Sequence, residues 1–123
     1  MEIKESAENY LETIFMLHKK NGYVRSIDIA NELSYAKASV SVAMKSLREN
    51  GYLVVDEDGG LILTDKGNEI AQKMYERHQI IAQALMSLGV DEENAYRDSC
   101  KIEHYISKVS FDKIKEYVNK LKG

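Results

Sequence analysis

Ser26-Ile27-Asp28-Ile29-Ala30-Asn31-Glu32-Leu33-Ser34-Tyr35-Ala36-Lys37-Ala38-Ser39-Val40-Ser41-Val42 carries the pattern that decides the fold. Ser26 stands where a helix N-cap belongs, and Ile27, Ala30 and Leu33 form an i, i+3, i+6 stripe along a short helix. Ser34 offers a second cap, after which Val40, Ala43, Met44 and Leu47 mark the buried face of a helix from Ala36 to Asn50. Asn50-Gly51 supplies the left-handed conformation that ends it. Two helices joined this tightly predict a helix-turn-helix.

After that helix, Tyr52-Leu53-Val54-Val55 and Leu61-Ile62-Leu63 are β-rich runs around Asp58-Gly59-Gly60, which predicts a hairpin in the place of a wing. Before it, Tyr10, Leu11, Ile14, Phe15 and Leu17 recur at helical spacing between Ser6 and Lys20, and Asn21-Gly22 stops the run. Thr64 caps a long helical pattern through Ile70, Ala71, Met74, Ile81, Leu85 and Leu88 to Gly89. Asp91 to Ser107 reads as the next helix, and Ser110 opens a last one bearing Phe111, Ile114, Val118 and Leu121. The fold class is mainly α: an N-terminal winged helix-turn-helix, residues 1–72, followed by an all-helical domain, residues 73–123.

Composition agrees with this class. The chain has 123 residues, no proline and 7 glycines, with 44% hydrophobic and 30% charged residues, which favours a soluble, mostly helical protein over a sandwich or a disordered chain. No apolar run approaches the roughly 20 residues of a membrane span. Met1-Glu2-Ile3-Lys4-Glu5 lacks a basic region leading into an apolar one, so a cytoplasmic protein without a membrane partner is expected. The single cysteine, Cys100, excludes an intrachain disulfide and fits a reducing compartment. Net charge is −3, and residues 19–77 balance nine Lys or Arg against nine Asp or Glu. Binding to nucleic acid must then come from local placement of cations or from a change of state.

In a winged helix-turn-helix the second helix enters the major groove with its N-terminal residues nearest the base edges. The candidate DNA contacts are therefore Tyr35, Ala36, Lys37, Ala38, Ser39, Ser41, Val42 and Lys45. Small side chains at Ala36, Ala38 and Ser39 permit close approach, and the alanine methyls can meet thymine methyls. The Ser39 and Ser41 hydroxyls can serve bases or phosphates, and Lys37 and Lys45 phosphates. The same motif can also dock proteins, with its small residues reflecting packing.

Cys100-Lys101-Ile102-Glu103-His104 places a thiol, a carboxylate and an imidazole at i, i+3 and i+4, on one helical face. Three such donors form most of a transition-metal coordination sphere, short of a donor or two from elsewhere. A regulatory metal, a small metal-dependent hydrolase with Glu103 as base, or a buried thiol beside an ordinary polar face all remain open on this pattern.

From about Ser6 to Tyr117 the chain resembles the diphtheria toxin repressor family of metal-dependent transcriptional regulators, including its manganese-sensing branch. The segments that carry the resemblance are Glu8-Asn9-Tyr10-Leu11-Glu12-Thr13-Ile14, Gly51-Tyr52-Leu53, Leu63-Thr64-Asp65-Lys66-Gly67, Arg77-His78 and Cys100 to His104, in the family's order. The resemblance implies a metal held by helix one, the long helix and the Cys100 helix, through Asn9, Glu12, His78, Cys100, Glu103 and His104. Asn9 stands at an aspartate-like position and Cys100 at a glutamate-like one, the latter resembling the iron-responsive branch. A thiolate favours Fe²⁺, Co²⁺, Ni²⁺ or Zn²⁺ over the harder Mn²⁺. With the resemblance, Fe²⁺ is the expected ion, Mn²⁺ next, and Zn²⁺, Co²⁺ or Ni²⁺ are admitted. An ancillary site would need donors where the chain has Ala82 and Tyr96 beside His78, so none is expected. The short two-domain form, without the SH3-like domain of longer members, is expected.

The implied function is a metal-dependent repressor controlling iron or manganese homeostasis. Its second domain would be the all-helical dimerisation domain, its partners a second copy and a palindromic double-stranded operator, with no small-molecule substrate. The rivals are a metal-independent winged-helix regulator with a degenerate site, the hydrolase and the protein-docking module.

Overall fold

A computed structural model describes residues 5–122. Met1 to Lys4, which hold most of the N-terminal stretch read for a leader, and Gly123 lie outside the described residues. The elements are α1 (Glu5–Asn21), α2 (Ser26–Leu33), α3 (Lys37–Glu49), β1 (Leu53–Val55), β2 (Leu61–Leu63), α4 (Asp65–Ser87), α5 (Glu92–Ile102) and α6 (Lys108–Lys122). The chain forms two compact units, residues 1–72 and 73–123. No helix among the described residues is long and apolar enough to cross a membrane.

In the first unit, Leu11, Ile14 and Leu17 of α1 join Ile29, Ala30, Val40, Met44, Leu47, Leu53 and Leu61 in one buried core. Each fully buried aliphatic side chain there contributes about 1.5–3 kcal/mol. The α2 stripe differs from the sequence reading: Ile29 and Ala30 are buried, whereas Ile27 is exposed. Ser34 also departs from it. Rather than capping α3, it ends α2 with φ +57°, its N–H donating to the Ala30 carbonyl. Ala36 occupies the N-cap position of α3, with no side-chain bond, so Tyr35 and Ala36 lie in the turn and the helix starts at Lys37.

The wing is a two-stranded antiparallel hairpin pairing Leu53 with Leu63 and Val55 with Leu61. It is tied to the helix-turn-helix by the Leu61 N–H donating to the Val24 carbonyl at 2.7 Å and by a bridge from Arg25 to Gly60. Thr64 caps α4 as expected, accepting from the Gly67 N–H at 3.2 Å and donating to the Gly51 carbonyl at 2.7 Å. A side chain at Gly67 would meet the Tyr52 carbonyl oxygen at 2.0 Å, which is why glycine stands in the first turn of α4.

In the second unit, Ile80, Ile81, Phe111 and Val118 form the core, flanked by half-buried Leu85, Ile106 and Ile114. Asp91 caps α5, accepting from the Asn94 N–H at 3.0 Å. The last helix begins earlier than read: Ser107, not Ser110, caps α6, its hydroxyl accepting from the Ser110 N–H at 3.1 Å. Buried Arg77 closes the α5–α6 corner, donating from Nη1 to the carbonyls of Glu103 and Ile106 at 3.0 and 2.9 Å.

Candidate functional site

α5 ends at Ile102, so Glu103 and His104 fall just past the helix rather than inside it. Glu103 nevertheless keeps right-handed helical angles, φ −56° and ψ −28°, and its N–H donates to the Ser99 carbonyl. The face shared with Cys100 survives for that reason. α4 brings His78 to the same place. His78 Nδ1 lies 3.1 Å from Glu103 Oε2, and His104 Nε2 lies 3.4 Å from Glu103 Oε1. Cys100 Sγ is 3.5 Å from His78 Nδ1.

Four of the six predicted metal residues, Cys100, His78, Glu103 and His104, thus form a chain of neighbouring contacts within the second unit. Glu103 is fully buried, His78 is buried, and Cys100 is exposed on its outer side. Two donors held by one ion at about 2.0–2.3 Å stand roughly 3.0–3.6 Å apart. Only neighbouring pairs fall in that range, at 3.1, 3.4 and 3.5 Å. Among the described residues His78 and Cys100 do not join Glu103 and His104 in one set of donors within 4.8 Å of one another. A carboxylate, two imidazoles and a thiol are nevertheless the right lone-pair donors. By its chemistry the donor set suits a transition-metal ion.

The other two predicted ligands belong to the first unit. Glu12 is buried on α1, only 4% exposed. Asn9, one turn earlier, is half-buried and its carbonyl accepts from Thr13 Oγ1 at 2.7 Å. Sequence reasoning passed over Ser99, whose buried hydroxyl lies 3.0 Å from His78 Nδ1 and donates to the Tyr96 carbonyl. At the positions read for an ancillary site, Ala82 is buried and the Tyr96 hydroxyl reaches Gln79 at 3.4 Å.

All eight candidate DNA contacts, Tyr35, Ala36, Lys37, Ala38, Ser39, Ser41, Val42 and Lys45, are exposed. Val42 is 71% exposed, which no packing role in the first unit explains. Tyr35 has a second role, meeting the Tyr10 ring edge-on at 6.0 Å. Burial first, and Tyr35 second, hold the Tyr10 phenol above its ordinary value. Two cations near this surface went unread, Arg25 and Arg48; Ser41, Lys45 and Arg48 recur at i, i+4, i+7, the spacing that could have marked them.

Comparison with known proteins decides the family. Residues 2–61 match the N-terminal DNA binding domain of the iron dependent repressor, and residues 64–123 match its metal binding and dimerisation domain. This chain belongs to the iron-dependent repressor family. The chain is 42% identical over 113 residues to the HTH-type transcriptional regulator MntR of Geobacillus kaustophilus, covering 92% of this chain and 80% of that protein. The regulator of the same name from Bacillus subtilis is 40% identical over the same shares.

Among solved structures, the manganese regulator SloR superposes with a TM-score of 0.81 at 26% identity, covering 97% of this chain and 55% of that one. The IdeR of T. acidophilum gives 0.81 at 25% identity with the same coverage. This chain therefore spans a little over half the length of those two. It is a metal-dependent transcriptional regulator of the iron-dependent repressor family and not an enzyme, so the hydrolase reading of Glu103 falls.

Proposed function

We propose that this repressor responds to a divalent transition-metal ion ligated by Asn9, Glu12, His78, Cys100, Glu103 and His104, acting as co-repressor in iron or manganese homeostasis. The observation that carries the reading is buried Glu103 between the imidazoles of His78 and His104, with Cys100 beside them. A bound divalent ion supplies the positive charge that holds these Lewis bases together. In its absence His78 Nδ1 and Glu103 Oε2 stand 3.1 Å apart; ligation requires a neutral imidazole and a thiolate. Ser99 Oγ lies 3.0 Å from the same His78 Nδ1, so it can hold the ring in the metal-free protein only.

Fe²⁺ is the preferred ion, because Cys100 places soft sulfur where a carboxylate would suit Mn²⁺. Mn²⁺ comes next and Zn²⁺, Co²⁺ and Ni²⁺ remain able to bind; SloR, similar in fold, is a manganese regulator. Residues 1–72 act as the DNA-binding domain and residues 73–123 as the metal-binding and dimerisation domain. The dimer surface we assign to the apolar groove of about 360 Å³ lined by Ile81, Leu85, Leu88, Ile102, Ile114 and Tyr117.

By drawing ligands from α1, α4 and the Glu103 turn, the ion limits the separations the two recognition helices of a homodimer can adopt. A palindromic operator offers half-sites only at set spacing, so metal raises DNA affinity. The coupling is reciprocal, and operator DNA tightens metal binding equally. The protein acts where the DNA is, in the cytoplasm.

Cobalt titration tests the ligand set directly. The native chain should develop a near-ultraviolet thiolate-to-Co²⁺ absorption that Cys100→Ser abolishes. A band of equal intensity in that variant removes Cys100 from the site.

A further inference from the structure

A groove of about 540 Å³ opens beside α3 at the base of the wing, lined among others by Arg25, Ser26, Ser41, Lys45, Arg48 and Gly59. It holds three cationic side chains and two hydroxyls, and no carboxylate is among the described residues that line it. Arg25 is held in place there. Its backbone bridges to Gly60, and its guanidinium Nη2 lies 3.2 Å from where a Gly59 side chain would begin, so it packs close over the hairpin turn.

The wing's turn has the opposite sign. Asp56, Glu57 and Asp58 follow one another, and all three are exposed. Asp56 Oδ1 is engaged by the N–H groups of Asp58 and Gly60 at 2.9 and 2.7 Å, while the Glu57 and Asp58 charges stand at the hairpin tip. A polyanionic strand passing α3 is repelled at the tip and attracted at the base.

We infer that this groove seats a backbone phosphate of duplex DNA, with Arg25 and Arg48 as its charge-assisted donors alongside Lys45. The inference rests on the reading that α3 enters duplex DNA, and it adds a positioning site that carries no base information. Phosphate contacts of this kind fix register and orientation on the duplex. Arginine suits the role because its planar fork donates two parallel hydrogen bonds to phosphate oxygens.

The experiment measures DNA affinity by fluorescence anisotropy with Mn²⁺ present, across a salt series. Two probes are used, a duplex selected from a random pool by the native chain and a random duplex of equal length. Arg48→Ala should weaken both by the same factor, about three- to tenfold, and lower the slope of log affinity against log salt by about one per groove. Arg48→Lys should recover most of the slope, since it keeps the charge. Native binding with an unchanged slope in Arg48→Ala overturns the inference alone, as does a loss confined to the selected duplex, which makes Arg48 a base reader. Failure of the native chain to bind either duplex overturns the DNA reading and this inference with it.

Discussion

Glu103 faces His78 Nδ1 at 3.1 Å and His104 Nε2 at 3.4 Å, so a change at this one carboxylate alters the setting of two imidazoles. A buried carboxylate kept only for stability would be missed when neutralised. One kept for a metal is costly in the metal-free protein, where an uncharged side chain of the same shape serves as well or better. Glu103→Gln should therefore leave the metal-free melting temperature unchanged or higher and abolish the rise on adding Mn²⁺, both read by thermal denaturation. A large fall in the metal-free protein contradicts the assignment. Cys100→Glu tests metal choice: replacing sulfur with a hard carboxylate should shift the anaerobic Fe²⁺ to Mn²⁺ affinity ratio at least tenfold toward Mn²⁺. An unmoved ratio removes Cys100 as the selector. Cys100, Glu103 and His104 were legible because helical periodicity alone places them on one face. Ser99 and Arg77 were not, since a serine hydroxyl and an arginine acquire their roles from His78 and from the Glu103 and Ile106 carbonyls, partners far away in sequence.

At the scale of elements, boundaries were the least legible part, and the serines show why. A serine can cap a helix start with its hydroxyl or end a helix in the left-handed region, and sequence does not say which. Ser34 took the second course and Ser107 displaced Ser110 in the first. The α2 stripe shifted from Ile27 to Ile29 because the core lies on the side where Ile29 and Ala30 meet α1 and α3, which local spacing could not fix. Where a cap is explicit, its loss is predictable. Asn94, through its side chain and its backbone N–H, holds the Asp91 carboxyl below the ordinary aspartate range. A depressed folded value means the charged cap stabilises above the unfolded value, about 3.9, and that this is lost as pH falls through the folded one. Asp91→Ala should melt lower than the native chain at neutral pH, with the gap narrowing below the ordinary aspartate range; a pH-independent gap removes the charge from the explanation. Gly67→Ala drives a methyl to 2.0 Å from the Tyr52 carbonyl and should cost about 2–4 kcal/mol in urea unfolding. A loss under about 0.5 kcal/mol contradicts that packing.

For the whole molecule, the mainly α fold with a wing was readable because each element carries its own period and stop, and the family comparison agrees with it. What periodicity cannot show is how a second copy docks. Leu88 is 74% exposed on the apolar groove, so Leu88→Glu should weaken the dimer at least tenfold by analytical ultracentrifugation and lower DNA affinity in parallel. A dimer of native strength places the interface elsewhere. The central claim, that the Glu103 site governs DNA binding, has its most direct test in operator affinity measured with chelator, Fe²⁺ under anaerobic conditions and Mn²⁺, for the native chain, Cys100→Ala and His104→Ala. Metal should tighten native binding about 5- to 150-fold, the range of a coupling of roughly 1–3 kcal/mol, and both variants should lose most of that gain. Equal native affinity with and without metal, or full metal dependence in either variant, contradicts it.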